Sequence, residues 1–164
     1  MTILKKNIKF LITLFVLVGL SLYSNFAFSA GGFGGQDEVS LYKSGKKLVL
    51  RAKKLEEKDK VEKAKKLYLK AYDKFEKAYN KDKKNADILN YLGYTLRKTG
   101  NLEQAETYYL KGLELDSKHL GINEYLGELY VQTNRIDLAK KRLEVLSGCK
   151  CEEYAELKEL IEKK

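Results

Sequence analysis

The chain has no proline, no tryptophan, one histidine, one methionine and two cysteines among its 164 residues. Each scarcity excludes something. Without proline there is no polyproline linker, and no residue that forces a helix to break. One imidazole and two thiols are too few for the commoner zinc sites, and they leave a histidine base with no nameable partner to orient it. No strand leads into a glycine-rich phosphate loop, so nucleotide chemistry of that kind has nothing to stand on. A chain of 164 residues holds one modest globular domain plus appendages, which rules out a multi-domain enzyme. Neither enzyme activity, cofactor, metal nor small-molecule substrate is expected.

What is present is charge and helix-forming side chains. The net charge is +9, with 34% of residues charged and 44% hydrophobic, and the excess is uneven. Residues 43–84 carry 17 Lys and Arg against 7 Asp and Glu, whereas residues 85–164 carry 12 against 14. Three further lysines, Lys5, Lys6 and Lys9, precede an apolar run over residues 10–23 that closes on the small residues Ala27, Ser29 and Ala30. That order is the pattern of a secretory signal peptide over residues 1–30, with cleavage after Ser29 or Ala30. The apolar run is shorter than the roughly 20 residues that a membrane-spanning helix needs, so a permanent anchor is disfavoured. The protein is therefore expected to be periplasmic or secreted. Residues 31–37, rich in glycine, read as a flexible leader ahead of a helical domain over residues 38–164.

The domain repeats itself. Leu89, Leu92, Gly93, Leu96, Gly100, Ala105, Tyr109 and Leu113 recur 34 positions later as Asn123, Leu126, Gly127, Tyr130, Asn134, Ala139, Leu143 and Ser147. A fixed period of this length marks a helical solenoid. Each unit holds two amphipathic stretches, with apolar residues three and four apart, separated at Gly100 or Asn134. Glycine enters the left-handed conformation that ends a helix without strain, and asparagine is the next most tolerant. Gly93, Gly127, Ala105 and Ala139 fall where the two helices of a hairpin would cross closely. At an offset of 41, Val61, Ala64, Tyr68 and Ala71 match Leu102, Ala105, Tyr109 and Gly112, which adds a first hairpin two turns longer. The spacing predicts hairpins over residues 38–81, 86–116 and 120–147 and a capping helix over residues 152–163. An array of this kind needs such a cap to cover its last apolar face.

The pattern L-G-x-x-Y/L, then Gly or Asn at a turn, then A-x-x-x-Y/L, resembles tetratricopeptide repeat proteins, strongly over residues 86–147 and fairly over the first hairpin. The resemblance implies an all-α, right-handed α-solenoid that binds a protein or peptide segment on the concave surface of its first helices. On the second hairpin it places Asp87, Asn90, Tyr94, Arg97 and Lys98 on that surface, and on the third Glu124, Glu128, Val131 and Gln132. Lys46, Val49 and Lys53 are their counterparts on the first. Tyr94 is the leading anchor candidate, because an aromatic ring supplies large area at low entropy cost. Family members that clamp a terminal carboxylate use Lys and Asn at such positions; Glu124 and Glu128 argue against a clamp here.

Three features remain. Cys149 and Cys151, even in number in an exported chain, are expected to pair, either as a redox couple or as a local pin between third hairpin and cap. Their setting also resembles the tails of bacterial exported repeat proteins, which favours the pin. His119, alone in a loop, reads as a solvated residue. The lysines of residues 53–84 read as the solvated face of the long hairpin, with docking on an anionic membrane or cell-wall polymer as the alternative. Nucleic acid is not an expected partner.

Overall fold

A computed structural model of the protein describes residues 33–164; the expected export signal over residues 1–30 lies outside them. Among the described residues there are seven helices: α1 (Phe33–Glu56), α2 (Val61–Lys81), α3 (Ala86–Thr99), α4 (Leu102–Leu115), α5 (Leu120–Gln132), α6 (Ile136–Leu146) and α7 (Glu152–Glu162). They form three hairpins and a final helix, an all-α solenoid. None of them is long and apolar enough to cross a membrane. One boundary differs from the sequence expectation: α1 already begins at Phe33, so most of the segment read as a flexible leader is helical. Glycines weaken a helix by only about 1 kcal/mol each, and the downstream turns of α1 are held by packing.

The hairpin turns are three copies of one device. Asp59, Gly100 and Asn134 occupy equivalent positions and have φ of 54°, 95° and 59°. Behind each, the next amide donates to the carbonyl five residues earlier: Lys60 to Leu55, Asn101 to Leu96 and Arg135 to Tyr130, at 2.9, 2.9 and 2.7 Å. This closure satisfies carbonyls that the helix end would leave unpaired. Sequence reasoning found Gly100 and Asn134 but not Asp59, since aspartate signals a turn only weakly.

Burial follows the repeat. Ala64, Tyr68, Ala71, Phe75 and Ala78 of α2 are fully buried, as are Ile88, Leu89 and Leu92 of α3, and they join Val49 and Ala52 of α1 in one core. A second core centres on Ile122, Leu126 and Leu129 with Tyr109, Ala139, Leu146 and Leu157. Gly93 faces Tyr109 across its own hairpin; a Cβ there would lie 2.5 Å from the ring. Gly127 has a different partner from the one expected, because the methyls of Leu157 on α7 fill the space above it. Gly93→Leu should therefore destabilise the protein by about 2 kcal/mol, since a rigid buried ring cannot step aside. Gly148→Ala, where no atom lies within 4 Å of the added carbon, should stay within about 0.5 kcal/mol of the parent. Urea denaturation checks both.

The sulfurs of Cys149 and Cys151 are bonded, with Cα atoms 5.2 Å apart, in the link between α6 and α7.

Candidate functional site

Side chains of the first helices α1, α3 and α5, joined by those of α7, meet around two adjoining hollows. One is a pocket of about 440 Å³ to which α1 gives Tyr42 and Lys46, α3 gives Asp87, Asn90 and Tyr91, α5 gives Glu124 and Tyr125, and α7 gives Glu153. A second hollow continues from it, sharing Glu124, Tyr125 and Glu153 and adding Lys53, Glu152 and Glu156.

The aromatic walls arise from the repeat. Tyr42 meets Tyr91 edge-on with centroids 5.7 Å apart, and Tyr91 stacks on Phe75 at 4.9 Å. Tyr94 lies tilted against Tyr125 at 4.8 Å and edge-on to Tyr68 at 5.8 Å. Cations from the chain itself sit over these rings: Lys46 over Tyr42 and Tyr91 at 5.4 and 5.7 Å, and Lys53 over Tyr94 at 5.3 Å. Such placement reflects attraction of positive charge to the ring face.

The sequence-predicted residues divide. Arg97 Nη2 pairs with Glu128 Oε2 at 2.5 Å, joining α3 to α5, and one carboxylate oxygen from each of Glu124, Glu128 and Glu156 lies within 4.8 Å of the others. Asn90 and Glu124 share the large pocket. Tyr94 is corrected: only 4% exposed, it is packing between Tyr68 and Tyr125 rather than an accessible anchor, and burial pushes its hydroxyl pKa up to about 12. Lys98 Nζ lies 2.8 Å from a Glu56 carboxylate oxygen at the end of α1. Val49 and Val131, expected on the surface, are core. Tyr94, Val49 and Val131 lie where the neighbouring helices reach across and bury them.

His119 is not a solvated loop residue. Its Nδ1 accepts from the Ile122 amide at 3.2 Å and so caps α5, while Nε2, which then carries the proton, donates to Asp87 at 3.2 Å. Tyr125 and the α7 acids were missed because nothing local in their sequence distinguishes them.

The carboxylate cluster has an internal resolution. Arg97 neutralises Glu128, and Glu124, only 3% exposed, keeps its proton. Burial, a hydrogen bond to Glu156 and the charges of Glu128, Glu156 and Glu153 push its pKa up to about 9. An acid pair beside an ion pair is poor material for a metal site, which needs deprotonated oxygens free of a competing cation. Unfolded, Glu124 ionises near about pH 4. The folded chain thus holds an extra proton between that pH and about 9, and stability falls as pH rises through the window. Glu124→Gln should remove this slope and raise stability at neutral pH by about 1 kcal/mol or more, seen as a melting-temperature gain over the parent that widens from about pH 5 to about pH 9.

A profile for the tetratricopeptide repeat matches residues 48–118, which takes in the second hairpin and most of the first. Among curated protein sequences there is no match. Solved structures share the fold at low identity. The CopN–Scc3 complex aligns with a TM-score of 0.56 at 23% identity, covering 85% of this chain and 78% of that one. The second TPR domain of human RPAP3, solved with the HSP70 peptide SGPTIEEVD, gives 0.51 at 19%, covering 77% and 99%. The Yersinia enterocolitica type III secretion translocator chaperone SycD gives 0.51 at 18%, covering 74% and 90%. Residues 48–118 thus match the tetratricopeptide repeat, and the described residues fold as a tetratricopeptide-repeat-like solenoid.

Proposed function

We propose that the protein is a non-catalytic binding module of the bacterial envelope, exported through its N-terminal signal, that takes an extended segment of a partner protein on its concave face. One observation carries this: side chains from α1, α3, α5 and α7 converge on continuous hollows, so a chain laid across them touches every hairpin. The family match supports it, as does the peptide complex of the RPAP3 domain. Both nitrogens of the lone imidazole are engaged in holding α5 and Asp87, so the histidine is not free to act as a base.

Selection of random short peptides on the purified protein tests the reading. Binding should change in Lys46→Glu and in Asp87→Lys, on the concave side, and stay unchanged in Lys70→Glu on α2. Peptides that ignore the first two variants, or respond only to the third, would refute a concave site. The exposed lysines of α2, among them Lys63, Lys65, Lys66 and Lys70, carry the second reading, docking on anionic surfaces. Vesicles with anionic lipid would then capture the parent at low salt and lose the Lys70→Glu and Lys66→Glu double variant.

A further inference from the structure

The concave hollows are acidic, in a chain whose net charge is +9. Asp87, Asp116, Glu152, Glu153 and Glu156 outnumber Lys46, Lys53 and Lys118 around them, even with Glu124 counted as neutral. Two independent observations point to what would fit. Asn90, 6% exposed, is part of the pocket wall, and its side-chain carbonyl oxygen has no donor. A buried acceptor without a partner is costly, and a bound N–H would relieve it. The tyrosine rings in turn draw in whatever cations the chain has nearby, Lys46 and Lys53.

We propose that this pocket recognises a cationic side chain of the bound peptide, an arginine or lysine whose N–H groups reach the Asn90 carbonyl and the Glu124 carboxyl beside Tyr91 and Tyr125. The proposal rests on the concave face being the peptide site and adds the chemistry of the guest. Such a guest is opposite in charge to a carboxylate-terminated one. It also makes a prediction about protons. A cation at Glu124 favours the ionised carboxylate, so binding expels the proton that the empty pocket keeps.

Glu124 faces Glu128 on its own helix and Glu153 and Glu156 on α7, and it shares its hollows with Tyr125, Lys53 and Lys46 of α1, Asp87 of α3 and Glu152 of α7, while from α3 Arg97 pairs with Glu128. From α4, Tyr109 lies near Arg97, Glu128 and Tyr94, and from α6, Arg142 is bonded to Asn123 at 3.2 Å. Arg97 is committed to Glu128, and the tyrosines titrate at higher pH, so Glu124 is the group that responds as pH rises toward 9.

The test has two arms. In the first, the composition of the peptides selected on the purified protein is read. Enrichment in arginine and lysine supports the proposal. Groove-dependent peptides that are acidic or neutral overturn it while leaving the binding module intact, and the absence of any groove-dependent peptide overturns both. In the second arm, an N-acetylated, C-amidated alternating Ala-Arg peptide is titrated by calorimetry against an Ala-Glu counterpart. The arginine peptide should bind more tightly as pH rises from about 7 to about 9 and level off above, because a guanidinium keeps its charge throughout. Glu124→Gln should abolish that dependence and the proton release measured in buffers of different ionisation enthalpy. Glu153→Lys and Asp87→Lys, checked for unchanged helical circular dichroism, should each weaken binding about tenfold. Equal affinity for the Ala-Glu peptide, or an arginine affinity that ignores both pH and these variants, would overturn the assignment.

Discussion

Arg97→Met is expected to destabilise the protein by about 3 to 5 kcal/mol. The guanidinium lies 2.5 Å from Glu128, with side-chain exposures of 11% and 21%. Removing it leaves a carboxylate with no counter-ion, a few ångströms from Glu124 and Glu156. The loss also uncovers Tyr94 and Tyr125, since Arg97 sits 5.6 and 5.7 Å from their centroids. The Coulomb gain of the pair is largely offset by the desolvation of two charges, so the cost belongs to breaking the pair rather than to lacking it. Hence the double variant Arg97→Met with Glu128→Leu should recover most of the deficit. A urea double-mutant cycle measures the coupling, expected at about 2 kcal/mol or more. A single-variant loss under about 1 kcal/mol would mean that water reaches the pair and screens it.

Phe75→Ala should cost a similar amount, about 3 to 5 kcal/mol, and should also loosen the candidate site. Phe75 is fully buried, stacks on Tyr91 and meets Tyr42 edge-on at 5.9 Å. Those two tyrosines are pocket walls, so the ring supports the site from behind. Its room comes from Gly45, where a Cβ would lie 2.6 Å from the ring. A knob facing a missing side chain suggests its own control: Gly45→Leu in the Phe75→Ala background should refill part of the cavity and return about 1 kcal/mol or more. In the parent, Gly45→Leu should destabilise by overpacking. Opposite signs of one substitution in two backgrounds would be hard to obtain if α1 did not pack on α2 at this point. Thermal unfolding followed by circular dichroism reads all four proteins.

Of the proposed binding face, the sequence placed Asn90, Arg97, Glu124 and Glu128 on one side of two first helices, because position on a helix surface depends only on a period of 3.6 residues. It misjudged Tyr94, because whether a side chain at such a position is free depends on what lies opposite, and Tyr94 is enclosed by Tyr68 and Tyr125. The role of His119 was likewise invisible, since a cap is defined by the orientation of a ring toward an amide three residues on.

The sequence by itself determined the order of the helices and the turns at Gly100 and Asn134. These depend on neighbours within one turn of helix and on a 34-residue repeat that any copy reports about the others. Tertiary structure alone decided where α7 lies. By setting Leu157 over Gly127 it carries Glu153 and Glu156 to Glu124, and so creates an acidic pocket in a basic protein. Residues some thirty positions apart acquire shared protons and shared desolvation only once helices bring them together, and that energy is written in no local pattern.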